Sequence, residues 1–195
     1  MSEIRVDTIT EKTSANGVAI DSVTLKDGGA TLTDNITFSA SGKGIHLGVT
    51  TATASNLLDD YEEGTFTPVL SDAASGGNTA SIGHKSGVYI KVGQLVTVMV
   101  NMFNITKSGM TSSNVLNFQG LPFAVADSFF SHVVGSCEVD SIDFTGYVTT
   151  AVYNDSTAVQ FRNNSDSTND AGLLVSAITT AADSDINFTV TYKTA

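Results

Sequence analysis

The chain has 195 residues, 41% of them hydrophobic and only 15% charged, which allows a buried core and argues against wholesale disorder. The formal net charge is −11, with 4 Lys+Arg against 10 Asp+Glu in residues 1–64 and 5 against 10 in residues 65–195. Neither part offers a basic patch to neutralise phosphates, so nucleic acid is not an expected partner, and an anionic membrane surface would repel both. With so few charges, the polar surface must come from Ser, Thr, Asn and Gly. Thr favours strands while Asn and Gly favour turns, so an all-β fold is expected.

The opening Met1-Ser2-Glu3 is followed by polar residues with no apolar h-region, so no cleaved leader is expected and the chain should be made in a cytoplasm. No run approaches the ~18 apolar residues of a membrane span, so membrane insertion is not expected. Ile4 and Val6 alternate in a first short strand, and Asn16-Gly17 is a turn signal. Val18 to Asp21, Val23 to Leu25, Ile36 to Phe38 and Ile45 to Val49 follow, punctuated by Asp27-Gly28-Gly29 and Gly42-Lys43-Gly44. These strands carry too few apolar residues to build a two-layer core within one chain. Residues 1–64 therefore read as an N-terminal arm and intertwined stalk, in which Ile4, Val6, Ile9, Val18, Ile20, Val23 and Leu25 are buried between copies. Such burial contributes about 25 cal/mol per Å² of apolar area.

Leu57-Leu58-Asp59-Asp60-Tyr61-Glu62-Glu63-Gly64-Thr65-Phe66-Thr67-Pro68 marks a change of texture. Asp59, Asp60, Glu62 and Glu63 are the densest charge in the chain, and with Tyr61 they are expected to form a joint between stalk and head. Oxygen-rich runs can hold Ca²⁺, but such a loop alternates its ligands around a turn glycine, and this one does not. A solvated acidic linker is the expectation.

Residues 65–195 read as an antiparallel β-sandwich head, jelly-roll-like, with strands at 66–70, 80–85, 88–92, 95–105, 115–118, 132–139, 144–153, 157–162, 173–178 and 186–192. Residues 72–78 read as a loop and Ser86-Gly87 as a break between strands. From Leu95 to Ile105 both faces are largely apolar, which fits a central strand or one that also meets a neighbouring subunit. Residues 171–182 carry a weak helical signal, outweighed by their β-branched and Thr content.

No chemistry assembles from the sequence. His46, His84 and His132 are far apart, with no metal-ligand spacing. Cys137, the single cysteine, forbids an internal disulfide and reads as a small buried hydrophobe. There is no Gly-x-Ser-x-Gly elbow, P-loop or dinucleotide fingerprint. The pair Asp140 and Asp143 could suggest a glycosidase, but the chain has no Trp to stack a sugar. No catalytic residue, cofactor or metal is therefore expected. The polar run holding Asn163, Asn164, Asp166, Asn169 and Asp170 could hydrogen-bond a sugar or hold Ca²⁺, although its composition is also that of an ordinary solvated loop.

Several stretches resemble tail-fibre and fibre-like virion proteins of tailed bacteriophages of the aquatic type. They are Ile4 to Ile9, Ala15 to Val18, Lys26 to Gly28, Gly42 to Ile45, Leu58 to Pro68, Gly87 to Val98, Gly120-Leu121-Pro122-Phe123 and Ile186 to Tyr192. The resemblance implies a homotrimer located in the virion, held to other virion proteins of tail, baseplate or capsid by its N-terminal part. The β-rich head would face outward to a host-surface glycan or protein, through loops such as 72–78 and 163–170. A capsid decoration or head-fibre protein that cements the shell is the alternative from another class, and a glycan-degrading enzyme a third.

Overall fold

The computed structural model describes residues 34–127, 132–153, 155–166, 168–179 and 183–194. The stalk residues Ile4, Val6, Ile9, Val18, Ile20, Val23 and Leu25 lie outside the described residues. The unit from Ser39 onward carries the sheet.

Strand β1 (Ile45–His46) pairs with β2 (Leu57–Leu58) in a small ribbon. The main sheet is built from β3 (Tyr61–Phe66), β4 (Val69–Ala73), β5 (Gly76–Thr79), β6 (Ser81–Val92), β7 (Leu95–Thr106) and β8 (Asn117–Gln119). It continues through β9 (His132–Asp140), β10 (Tyr147–Tyr153), β11 (Ala158–Asn164), β12 (Ala171–Gly172) and β13 (Ser184–Lys193). All these pairings are antiparallel and make one 11-stranded sheet in the order β3-β6-β7-β13-β9-β10-β11-β8-β4-β5, with β12 added to β11. No α-helix occurs among the described residues. The fold is all-β.

The sheet curls around a single core. Val96, Val98, Val100 and Met102 of β7 and Ile186, Phe188, Val190 and Tyr192 of β13 point inward, at the alternation that a pleated strand imposes. They meet Leu70, Phe118 and Phe161 from the other side of the curl. Phe188 sits at the centre, edge-on to Phe118 at 5.0 Å and to Phe161 at 5.8 Å between ring centroids. Edge-to-face geometry sets the positive ring edge against the negative ring face, which adds to the burial. Ala80 alone separates β5, at one end of the strand order, from β6, near the other, so the chain itself stitches the two ends of the curl together. Tyr192 closes one end of the core by donating its hydroxyl to the Phe123 carbonyl at 2.9 Å.

Four sequence expectations are corrected. Ser86-Gly87 does not break a strand: β6 runs straight through it. Residues 72–78 are not an open loop but most of a β4–β5 hairpin. The strand expected at 66–70 is split at Thr67-Pro68, because proline has no N–H for the ladder. The expected strand at 173–178 is a 3-10 turn at Val175–Ala177, flanked by isolated bridges from Leu174 to Val115 and from Ile178 to Ile142.

Candidate functional site

Tyr61, Glu62 and Glu63 of the acidic run belong to a strand of the sheet and not to a free linker, while the side chains of the run stay solvent-exposed as expected. Residues 61–66 form β3 and pair with β6, setting Glu62 opposite Lys91, Gly64 opposite Tyr89 and Phe66 opposite Gly87. Alternation then sorts the carboxylates. Asp60 pairs with the Lys91 ammonium, and Glu62 accepts the Tyr89 hydroxyl, both on the core side. Glu63, on the other face, accepts the Tyr61 hydroxyl at 2.7 Å. Both phenols are held above their usual range, Tyr89 first by its hydrogen bond to Glu62 and Tyr61 first by its bond to Glu63, since each bond favours the protonated phenol. Lys91 is only 9% exposed, and its ammonium lies 5.6 Å from the centre of the Phe123 ring, a cation–π distance. The Gly93 amide donates to the Asp60 carbonyl at 2.7 Å and completes this clasp. Asp59 precedes the strand and is exposed.

The two expected receptor segments differ. In the β4–β5 hairpin, Asp72 is buried and accepts the Thr111 amide at 2.8 Å, the Asn78 amide at 2.8 Å and the Asn78 side chain at 3.2 Å. Those donors, that of Thr111 foremost, hold its carboxyl below the usual range. Gln119 spans the hairpin from beneath, donating to Ser71 Oγ at 2.7 Å and the Ala73 carbonyl at 2.6 Å. These polar groups serve the hairpin's own shape.

In the 163–170 run, Asn163 and Asn164 end β11, and Asn164 donates to Thr149 Oγ1 at 2.9 Å. Asp170 is clipped back to Arg162 at 2.8 Å, and that guanidinium holds its carboxyl below the usual range. Asp166 and Asn169 are exposed. A depression of about 350 Å³ beside Asn163 is lined by Asp143, Gly172, Leu174 and Ser176. Asn163 Oδ1 has no hydrogen-bond partner among the described residues, yet it is shut off from solvent and so does not face a ligand.

Among the described residues no group of three His, Cys, Asp or Glu could hold a metal ion. His46, His84 and His132 stand on β1, β6 and β9. Cys137 is half-buried against the core on β9, and burial, then the Glu138 charge, pushes its thiol up to about 12. A thiol so rarely ionised is a poor nucleophile. Among the described residues no helix is long and apolar enough to cross a membrane.

The feature that asks for a partner is the outer face of the β6–β7 hairpin. Its outward pairs run Val92–Leu95, Ile90–Thr97, Val88–Met99, Ser86–Asn101 and His84–Phe103. None carries a carboxylate, lysine or arginine. Leu95 is 55% exposed, Met99 45%, Val92 44%, Ile90 42% and Phe103 38%. Met99 stands between two shallow depressions of about 400 Å³ each. One is lined by Glu63, Thr65, Val88 and Ile90, and the other by Asn101, Ser136, Glu138 and Asn187. The sequence signalled this face through the two-sided apolar character of residues 95–105, which left a central strand and a subunit contact as alternatives. The structure shows the first on one face, and on the second face Leu95, Met99 and Phe103 stay exposed among the described residues. The chain matches no family model, no curated protein and no solved structure.

Proposed function

We propose that this chain is a non-enzymatic virion structural protein of the phage tail-fibre or spike type, working as a homotrimer. The N-terminal residues form the attachment arm and stalk, with Ile4, Val6, Ile9, Val18, Ile20, Val23 and Leu25 packed between copies. The curled sheet serves as a jelly-roll-like sandwich head, presented outward to a host-surface glycan or protein. The 163–170 segment is the better of the two candidate contact loops, because Asp166 and Asn169 are exposed while the polar groups of the 72–78 hairpin are spent internally.

One observation carries the reading: an uncharged, half-exposed apolar stripe on a chain of net charge −11. The largest apolar patch on a soluble domain is often a functional surface, and a polar surround marks it as one for association. A structural oligomer supplies such cover permanently. The ordered resemblance to fibre proteins along nearly the whole chain supplies the virion context.

The test is particle assembly with a chain lacking residues 1–38. The cut falls before Ser39 because β1 to β3, including Asp60 and Glu62, belong to the sheet-bearing unit. Loss of the folded head from purified particles supports attachment by the arm. Retained incorporation would place attachment in the head.

A further inference from the structure

We infer that the outer stripe of the β6–β7 hairpin is where the heads of three copies of this chain meet, packed around an axis running along the hairpin. The inference rests on the homo-oligomeric reading above and adds to it the surface and its geometry.

The occupant follows from charge. Any second copy brings the same −11, so two heads can approach closely only where neither presents acid. The stripe is such a place. Its flanks return to charge, with Glu63 on β3 beside Ile90 and Lys193 on β13 beside Leu95. A charge-depleted apolar centre with a polar rim is the anatomy of a subunit interface.

The stripe's shape indicates three copies. It is two strands wide, roughly 10 Å at the spacing of neighbouring strands, and runs from Leu95 to Phe103, roughly 30 Å at the rise of an extended chain, with the uncharged polar pair Ser86–Asn101 interrupting it before Phe103. A narrow, long stripe has too little area for a face-to-face pair, since a stable interface covers about 800 Å² on each partner. Around a threefold axis each head meets two neighbours, and the flanks of the stripe are covered as well. Contacts between unlike patches that close into a ring are how cyclic oligomers form.

The experiment compares native masses of the full-length chain, its Met99→Glu variant and an Asn169→Glu control in the exposed loop. The wild type and control are expected at three chains. Met99→Glu is expected as a single folded chain with unchanged β-type circular dichroism, because three carboxylates cannot share a dry axis. A Met99→Cys variant covers the case in which Met99→Glu does not fold. Oxidised, it is expected to give disulfide-linked pairs with one chain of each three left over. Complete pairing, or a native mass of two chains, overturns the threefold arrangement. A three-chain Met99→Glu species overturns the stripe as the interface but leaves the homotrimer standing, whereas a monomeric wild type overturns both.

Discussion

The Tyr89 ring occupies the space where a side chain on Gly64 would be: a Cβ there would come within 2.8 Å of both the ring and its hydroxyl. The relation is reciprocal two pairs along the ladder, since a Cβ on Gly87 would meet the Phe66 ring at 2.8 Å and the Phe66 carbonyl oxygen at 2.9 Å. Each strand gives up a side chain so that an aromatic from the other can lie across it. The two rings, 6.4 Å apart, then roof this end of the core, with Tyr89 edge-on to Phe123 at 5.5 Å.

Gly64→Ala should therefore destabilise the head by about 1–3 kcal/mol, the usual cost of overpacking. Gly87→Ala should cost at least as much, because part of what it meets is backbone. Urea unfolding of each variant measures this. Coupling Gly64→Ala with Tyr89→Leu should return part of the loss, and additive costs would show that the ring is not the obstacle.

Lys91→Met keeps the apolar stem beside Phe123 but removes the ammonium from Asp60. Asp60 is half exposed, so the global loss should not exceed about 1 kcal/mol. The local effect should be larger, with faster amide exchange at Asp59 to Glu62 than in the wild type. Unchanged exchange there would mean that β-pairing alone holds the run.

The carboxyl of Asp72 is held below its unfolded value by the Thr111 and Asn78 donors, and that of Asp170 by Arg162. A group whose folded pKa is depressed lends stability above its unfolded pKa and loses it as pH falls through the folded value. The midpoint of thermal unfolding should therefore be flat near neutrality and fall on the acid side of the normal carboxylate range. Asp72→Asn should lower the midpoint at neutral pH and make the acid fall shallower. Asp170→Asn should change little, because Asp170 is exposed.

The Cys137 thiol, raised to about 12, should resist a thiol reagent at mildly alkaline pH and react fully once the chain is unfolded in urea. Rapid labelling of the folded protein would contradict its placement against the core.

The strands were legible wherever alternation is strict: residues 95–105, 132–139 and 186–192 lie within β7, β9 and β13. The errors cluster at glycines and acids. Gly87 looked like punctuation because a glycine needed for close approach of a ring and one needed for a turn are the same letter. The acidic run looked like a linker because nothing local reveals that Lys91 and Tyr89, some thirty residues away, take up Asp60 and Glu62. The stripe was half legible. A strand apolar on both faces announces two neighbours, but one chain's sequence does not say whether the second is its own fold or another copy.

Quantitative mass spectrometry of purified phage particles, with this chain measured against the major capsid protein, addresses the central claim most directly. The account predicts a low copy number in multiples of three. Absence from the particle would contradict a virion role, and a copy number near that of the capsid protein would contradict the tail-fibre assignment and place the chain on the shell.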